Sequence, residues 1–121
     1  MQVLISFLKT HHLDQIEKED FAESFSKFVE YVATHEPRTI SYELAQSDKV
    51  ENELLIIERY VNKEAYKDFH RKRLEFTNFR AKLSKMDVTI EGRSYFETNI
   101  GFMSNSLSNF HAGDTYWLRR T

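Results

Sequence analysis

Apolar and polar positions change period several times along the chain. Val3-Leu4-Ile5-Ser6-Phe7-Leu8-Lys9 is rich in branched and aromatic side chains and alternates in part, which predicts a strand buried on at least one face. Thr10-His11-His12-Leu13 is a connector. Asp14 and Glu17 then hold the spacing of a capping box, and acidic residues crowd the turn where a helix dipole favours them. Phe21, Phe25, Phe28, Val29 and Val32 recur at helical spacing, with Glu23, Lys27 and Glu30 opposite them. The spacing predicts an amphipathic helix of about five turns. It ends at His35-Glu36-Pro37, where the chain's only proline stands.

Thr39–Leu44 alternates, with Ile40, Tyr42 and Leu44 expected on one face of a half-buried strand. After the turn Gln46-Ser47-Asp48-Lys49, residues Leu54–Val61 form the most apolar strand, so the two make a hairpin. Asn62 is a suitable cap for a second helix, along which Tyr66, Phe69, Leu74, Phe76, Phe79 and Leu83 mark a broad apolar face. Met86–Glu91 and Ser94–Glu97 are extended, with a bend or bulge expected at Gly92. The order is β-α-β-β-α-β, an α+β, ferredoxin-like pattern. An antiparallel sheet with both helices on one face satisfies it. Strands apolar on both faces need a cover on the second face, and a second copy of the chain would supply one. A homodimer is therefore expected.

The chain's 121 residues suit one small domain. We divide it into residues 1–98 and a C-terminal extension, 99–121. The extension is first rich in Ser and Asn, then offers Thr115–Arg119 as a short extra strand. Phe102, Phe110, Tyr116 and Trp117 make docking on the domain or on a partner subunit the expectation. The net charge of −2 leaves no basic excess for nucleic acid. No cysteine is present, which excludes disulfides and thiolate chemistry. The apolar start is too short for a membrane span and lacks signal-peptide features, so a cytoplasmic protein with no membrane partner is expected.

Three short pieces carry a family resemblance. Glu36-Pro37-Arg38-Thr39-Ile40-Ser41-Tyr42-Glu43-Leu44 matches an "EPG-x-x-x-Y-E-L" pattern at a helix–strand junction. Glu58-Arg59-Tyr60 follows at the end of the third strand, and Asn62–His70 matches an "s-x-e-A-y-x-x-H" opening of a second helix. The chain resembles the antibiotic biosynthesis monooxygenase (ABM) family. That resemblance implies a dimeric α+β barrel with a pocket between sheet and helices. It also implies oxidation of small phenolic or quinol-type compounds by molecular oxygen with no metal, flavin or other cofactor. Arg38 stands where the family has glycine. The haem-degrading branch uses an Asn on the first strand together with a Trp and a His. No Asn stands on the first strand here and Trp117 lies in the extension, so that branch is disfavoured.

His70 is the leading catalytic candidate. It stands one helical turn from Tyr66 and from Leu74, so the three are expected to share a face. A neutral imidazole could take a phenolic proton near working pH. The alternative is a partly buried histidine capping a helix–sheet contact. Arg59 could stabilise an oxyanion and Tyr42 could orient a substrate oxygen. Their plainer readings are an ion pair with Glu43 or Glu58 and an ordinary core tyrosine. Adjacent His11 and His12 point opposite ways on an extended segment and make no metal site. The sequence leaves two functions open: a cofactor-independent monooxygenase, or a non-catalytic dimeric module that binds a small apolar molecule or serves only in assembly.

Overall fold

The computed structural model describes residues 1–102. Strand β1 (Gln2–Thr10) leads into helix α1 (Gln15–His35) and the hairpin of β2 (Thr39–Gln46) and β3 (Glu53–Tyr60). A broken helical segment ending in α2 (Leu74–Ser84) returns the chain to strand β4 (Val88–Phe96). All pairings are antiparallel, and the order across the sheet is β2-β3-β1-β4. This is the expected ferredoxin-like α+β fold. No described helix is long and apolar enough to cross a membrane. The expected strand at Thr115–Arg119 and the docking of Phe110, Tyr116 and Trp117 lie outside the described residues.

Helix α1 begins as its capping box predicts. Glu17 N–H donates to Asp14 Oδ1 at 2.8 Å, and Asp14 N–H donates to Glu17 Oε1 at 3.3 Å. Its apolar stripe, Phe21, Phe25, Phe28 and Val32, packs with Leu8, Leu54, Ile56, Phe79 and Leu83 into the main core. Phe28 stacks on Phe79 at 4.9 Å between centroids. Each such burial contributes about 1.5–3 kcal/mol before the entropy of ordering the side chain is counted.

The second helix departs from expectation. It is not continuous from Asn62 to Leu83. Asn62 does cap the segment, accepting from Ala65 N–H at 2.9 Å. A π-helical turn over Ala65–Phe69 follows, then a 3₁₀ turn over His70–Lys72. Arg73 leaves the helical region (φ −71°, ψ 141°), and α2 starts after it. The reason is angular. At about 100° per residue, a straight helix would put His70 and Phe79 on opposite sides. Both are buried here, and the break lets each face the sheet. Leu74 leaves the face expected for it: it is 67% exposed, while His70 is 0% exposed.

The strands alternate between two faces. Leu4, Ser6, Leu8, Leu54, Ile56, Glu58 and Tyr60 are buried beneath the helices. Val3, Ile5, Phe7, Leu55, Ile57 and Tyr95 lie on the outer face and stay half-buried or exposed. Ile40 does not join Tyr42 and Leu44. The register with β3 shifts between Thr39 and Ser41, which leaves Ile40 unmatched and 51% exposed. At Gly92 the expected bend or bulge is absent, and β4 pairs with β1 in one register throughout.

Candidate active site

Consecutive strand residues face opposite ways, so Glu58-Arg59-Tyr60 divides between the two faces. Arg59 lies on the outer face. Its Nη1 is 3.2 Å from Glu43 Oε1 and 3.2 Å from Ser41 Oγ, and its Nε is 3.6 Å from Glu97 Oε1. Glu58 and Tyr60 turn inward, and Tyr60 donates a short hydrogen bond to Glu58 Oε1. Tyr42 pairs with Glu58 across the strands and so turns inward with it. The structure thus brings Tyr42 and His70 together, with ring centroids 5.4 Å apart. It leaves Arg59 on the far side of the sheet from both.

The π-helical turn delivers His70 into a buried aromatic box. Phe28, Tyr42, Tyr60, Tyr66 and Phe76 surround its ring at 5.0–6.2 Å between centroids. His70 Nδ1 lies 2.7 Å from Glu36 Oε1, and both side chains are fully buried. Glu36 Oε1 also accepts from Thr39 Oγ1 at 3.2 Å. A carboxylate can only accept, so the contact places the proton on Nδ1 and directs the other ring nitrogen elsewhere. Among the described residues Nε2 has no hydrogen-bond partner, and it stands 3.9 Å from Glu58 Oε1.

A cavity of about 370 Å³ opens between the sheet and α2. Leu4, Ser6, Tyr42, Ile56 and Glu58 line its sheet side, and Tyr66, Phe76, Phe79 and Leu83 line its helical side. Arg71 and Arg80 also border it. His70 does not reach the cavity. Glu58 lines the cavity, and its Oε1 lies 3.9 Å from His70 Nε2.

Burial pushes the Glu58 carboxyl from 4.5 up to about 7, against the lowering effects of the Tyr60 hydrogen bond and of His70. Burial, and then the nearby Glu58 charge, raises the Tyr42 hydroxyl well above 10. Tyr60 and Tyr66 are raised for the same reasons, so none of the three tyrosines ionises near neutral pH. The arrangement therefore holds one group that changes charge near neutrality in contact with a cavity, which suits general base chemistry.

Sequence reasoning set Glu58 aside as a partner for Arg59 and passed over Glu36. The signal for Glu58 was available. Leu54, Ile56, Glu58 and Tyr60 share one period-two face, and a carboxylate in that row must be buried. Glu36 opens the Glu36-Pro37 motif, but nothing local marks its pairing with a residue 34 positions away. Among the described residues, no group of three or more His, Asp or Glu side chains is disposed to hold a metal. His11 lies 3.4 Å from Thr89 Oγ1 of β4, just past the end of β1.

The sequence profile of the antibiotic biosynthesis monooxygenase family matches residues 12–82, more than half of the chain. The chain belongs to the antibiotic biosynthesis monooxygenase family. No curated protein matches it in sequence. Several solved structures share its fold. One is a candidate antibiotic biosynthesis monooxygenase from Deinococcus radiodurans, at 16% identity and TM-score 0.72, covering 86% of this chain and 100% of that one. A candidate antibiotic biosynthesis monooxygenase from Nitrosomonas europaea is similar at 18% identity and TM-score 0.69, covering 81% and 99%. SnoaB of Streptomyces nogalater, a cofactor-independent oxygenase solved as a point variant, is similar at 15% identity and TM-score 0.66, covering 80% and 93%. At these identities the likeness establishes the ABM fold.

Proposed function

We propose that this ABM-family chain is a cofactor-independent monooxygenase that oxidises a small phenolic or quinol-type compound in the cavity between the sheet and α2. One observation carries the reading: a buried carboxyl, Glu58, poised at about 7 on a cavity wall. Family membership supports it.

In this reading the ionised Glu58 takes the phenolic proton. The phenolate passes one electron to molecular oxygen, giving an aryloxyl radical and superoxide. These combine at a ring carbon, and the resulting peroxide loses water to leave a quinone. Overall, a phenol and one O₂ become a quinone and one H₂O. Tyr42, beside Glu58, orients the substrate oxygen. His70 acts behind Glu58 as a proton shuttle through Nε2, with Glu36 holding the ring in its tautomer. Its complete burial argues against direct contact with substrate. Arg59 has no part in the pocket, because its guanidinium is engaged on the outer face.

Oxygen uptake with a panel of phenols and hydroquinones tests this. Wild type should consume oxygen with at least one compound, and Glu58→Gln should be slower by about 10²–10⁴-fold. Equal rates would remove Glu58 from the chemistry. No uptake with any compound would leave the second reading, a ligand-binding module, which the apolar lining of Leu4, Ile56, Phe76, Phe79 and Leu83 favours.

We also propose that the chain is a homodimer paired through the outer sheet face. Val3, Ile5, Phe7, Leu55 and Ile57 present an apolar surface there. Sedimentation should give a dimer at micromolar concentration, and a monomer would overturn the pairing.

A further inference from the structure

Most arginines among the described residues have an acceptor. Arg38 donates to Asn62, Arg59 to Glu43 and Ser41, Arg73 to the His35 carbonyl, and Arg93 to Glu91. Arg71 and Arg80 differ. Neither forms an ion pair or a hydrogen bond among the described residues, although the chain has 19 acidic residues against 17 basic ones. Arg71 leans over the Tyr66 ring, 5.8 Å from its centroid. Arg80 acts on Glu58, Tyr42 and Tyr66 only through space.

Both unpaired arginines border the same cavity, and they come from different elements, the 3₁₀ turn and α2. Both are exposed, whereas Glu58 is buried. The cavity therefore has a carboxyl in its interior and two guanidiniums at its solvent side. Among the described residues, Glu58 is the only acidic one lining it. When Glu58 holds a proton, the lining charge is that of the two arginines alone. Guanidinium forks match planar oxyanions, and an aromatic body would fill the apolar space between.

We infer that the substrate carries an anionic group, a carboxylate or a sulfonate, at the end of its aromatic frame remote from the phenolic oxygen, and that Arg71 and Arg80 seat it. This rests on the reading of the cavity as the substrate site.

The test compares 6-hydroxy-2-naphthoate with 2-naphthol, which lacks only the carboxylate. Binding is measured by titration calorimetry on the full chain at low salt. The naphthoate should bind about tenfold tighter, because each exposed guanidinium contact adds a modest increment that salt weakens. Arg71→Gln with Arg80→Gln should bring the ratio of the two affinities close to one, and Arg80→Gln alone should fall between. Circular dichroism should show the wild-type spectrum for each variant. A ratio of one in wild type, a ratio unchanged in the double variant, or no binding of the naphthoate would each overturn the inference. Oxygen uptake separates the two proposals. Turnover of neutral phenols without anion preference would remove the anion seat and keep the monooxygenase. A tenfold preference without any oxygen uptake would do the reverse.

Discussion

Glu58 and Arg59 are neighbours in sequence but occupy opposite faces of the same strand. Glu58 points into the space beneath the helices, where burial raises its carboxyl to about 7. Arg59 points to the outer face, where the carboxylates of Glu43 and Glu97 lie 3.2 and 3.6 Å from its guanidinium. One residue step thus separates a group suited to proton transfer from a surface ion pair. The lesson is that solvation, more than residue type, assigns chemistry on a sheet. The inward face joins a buried core to titrating groups. The outward face joins apolar side chains to exposed charges.

The largest test of this contrast removes the wall that keeps the inward face dry. Phe28 touches His70, Tyr42, Phe76 and Phe79 at once. Phe28→Ala should cost about 3–5 kcal/mol in urea unfolding, because it leaves a void that these rings fill only in part. A cost below about 1 kcal/mol would mean that the aromatic box is not close-packed.

A second test uses pH. The folded value of Glu58 lies above its unfolded one, so its stabilising contribution is complete below about pH 4.5. It is lost as pH rises through about 7, when folding must keep a charge in a dry site. The total loss is about 3 kcal/mol, from a shift of two to three units. Glu58→Gln cannot ionise and should escape it. The stability of wild type minus that of Glu58→Gln should therefore fall by about 3 kcal/mol between pH 4.5 and pH 8 in paired urea titrations. A constant difference would place Glu58 in a wet environment and collapse the contrast between the faces.

The smallest effect belongs to the outer face. Arg59→Ala should cost about 1 kcal/mol, since Glu43 is exposed and Glu97 only partly buried. It should leave oxygen uptake unchanged. A large loss of uptake would bring Arg59 back toward the site, by a route across the sheet that the present geometry lacks.

The two helices show how far sequence reading reaches. The capping box at Asp14 and the Phe21, Phe25, Phe28 and Val32 stripe describe α1 fully, because each signal is local and the helix has one buried face. The second segment misled for the opposite reason. Tyr66, His70 and Leu74 share a stripe on paper, while Phe76, Phe79 and Leu83 define another turned away from it. A straight helix can bury only one of these. The structure resolves the conflict by widening into a π turn and breaking at Arg73.

By itself, then, the sequence determined most of the strands, the first helix and the β-α-β-β-α-β order, since periodicity and capping act over a few residues, and its short motifs carried the family resemblance. Tertiary structure alone decided the site. It joined Glu36 to His70 across 34 residues, set Glu58 beside them, and gathered Arg71 and Arg80 at one cavity. Burial and distance between remote segments set those outcomes, and neither is written in any local pattern.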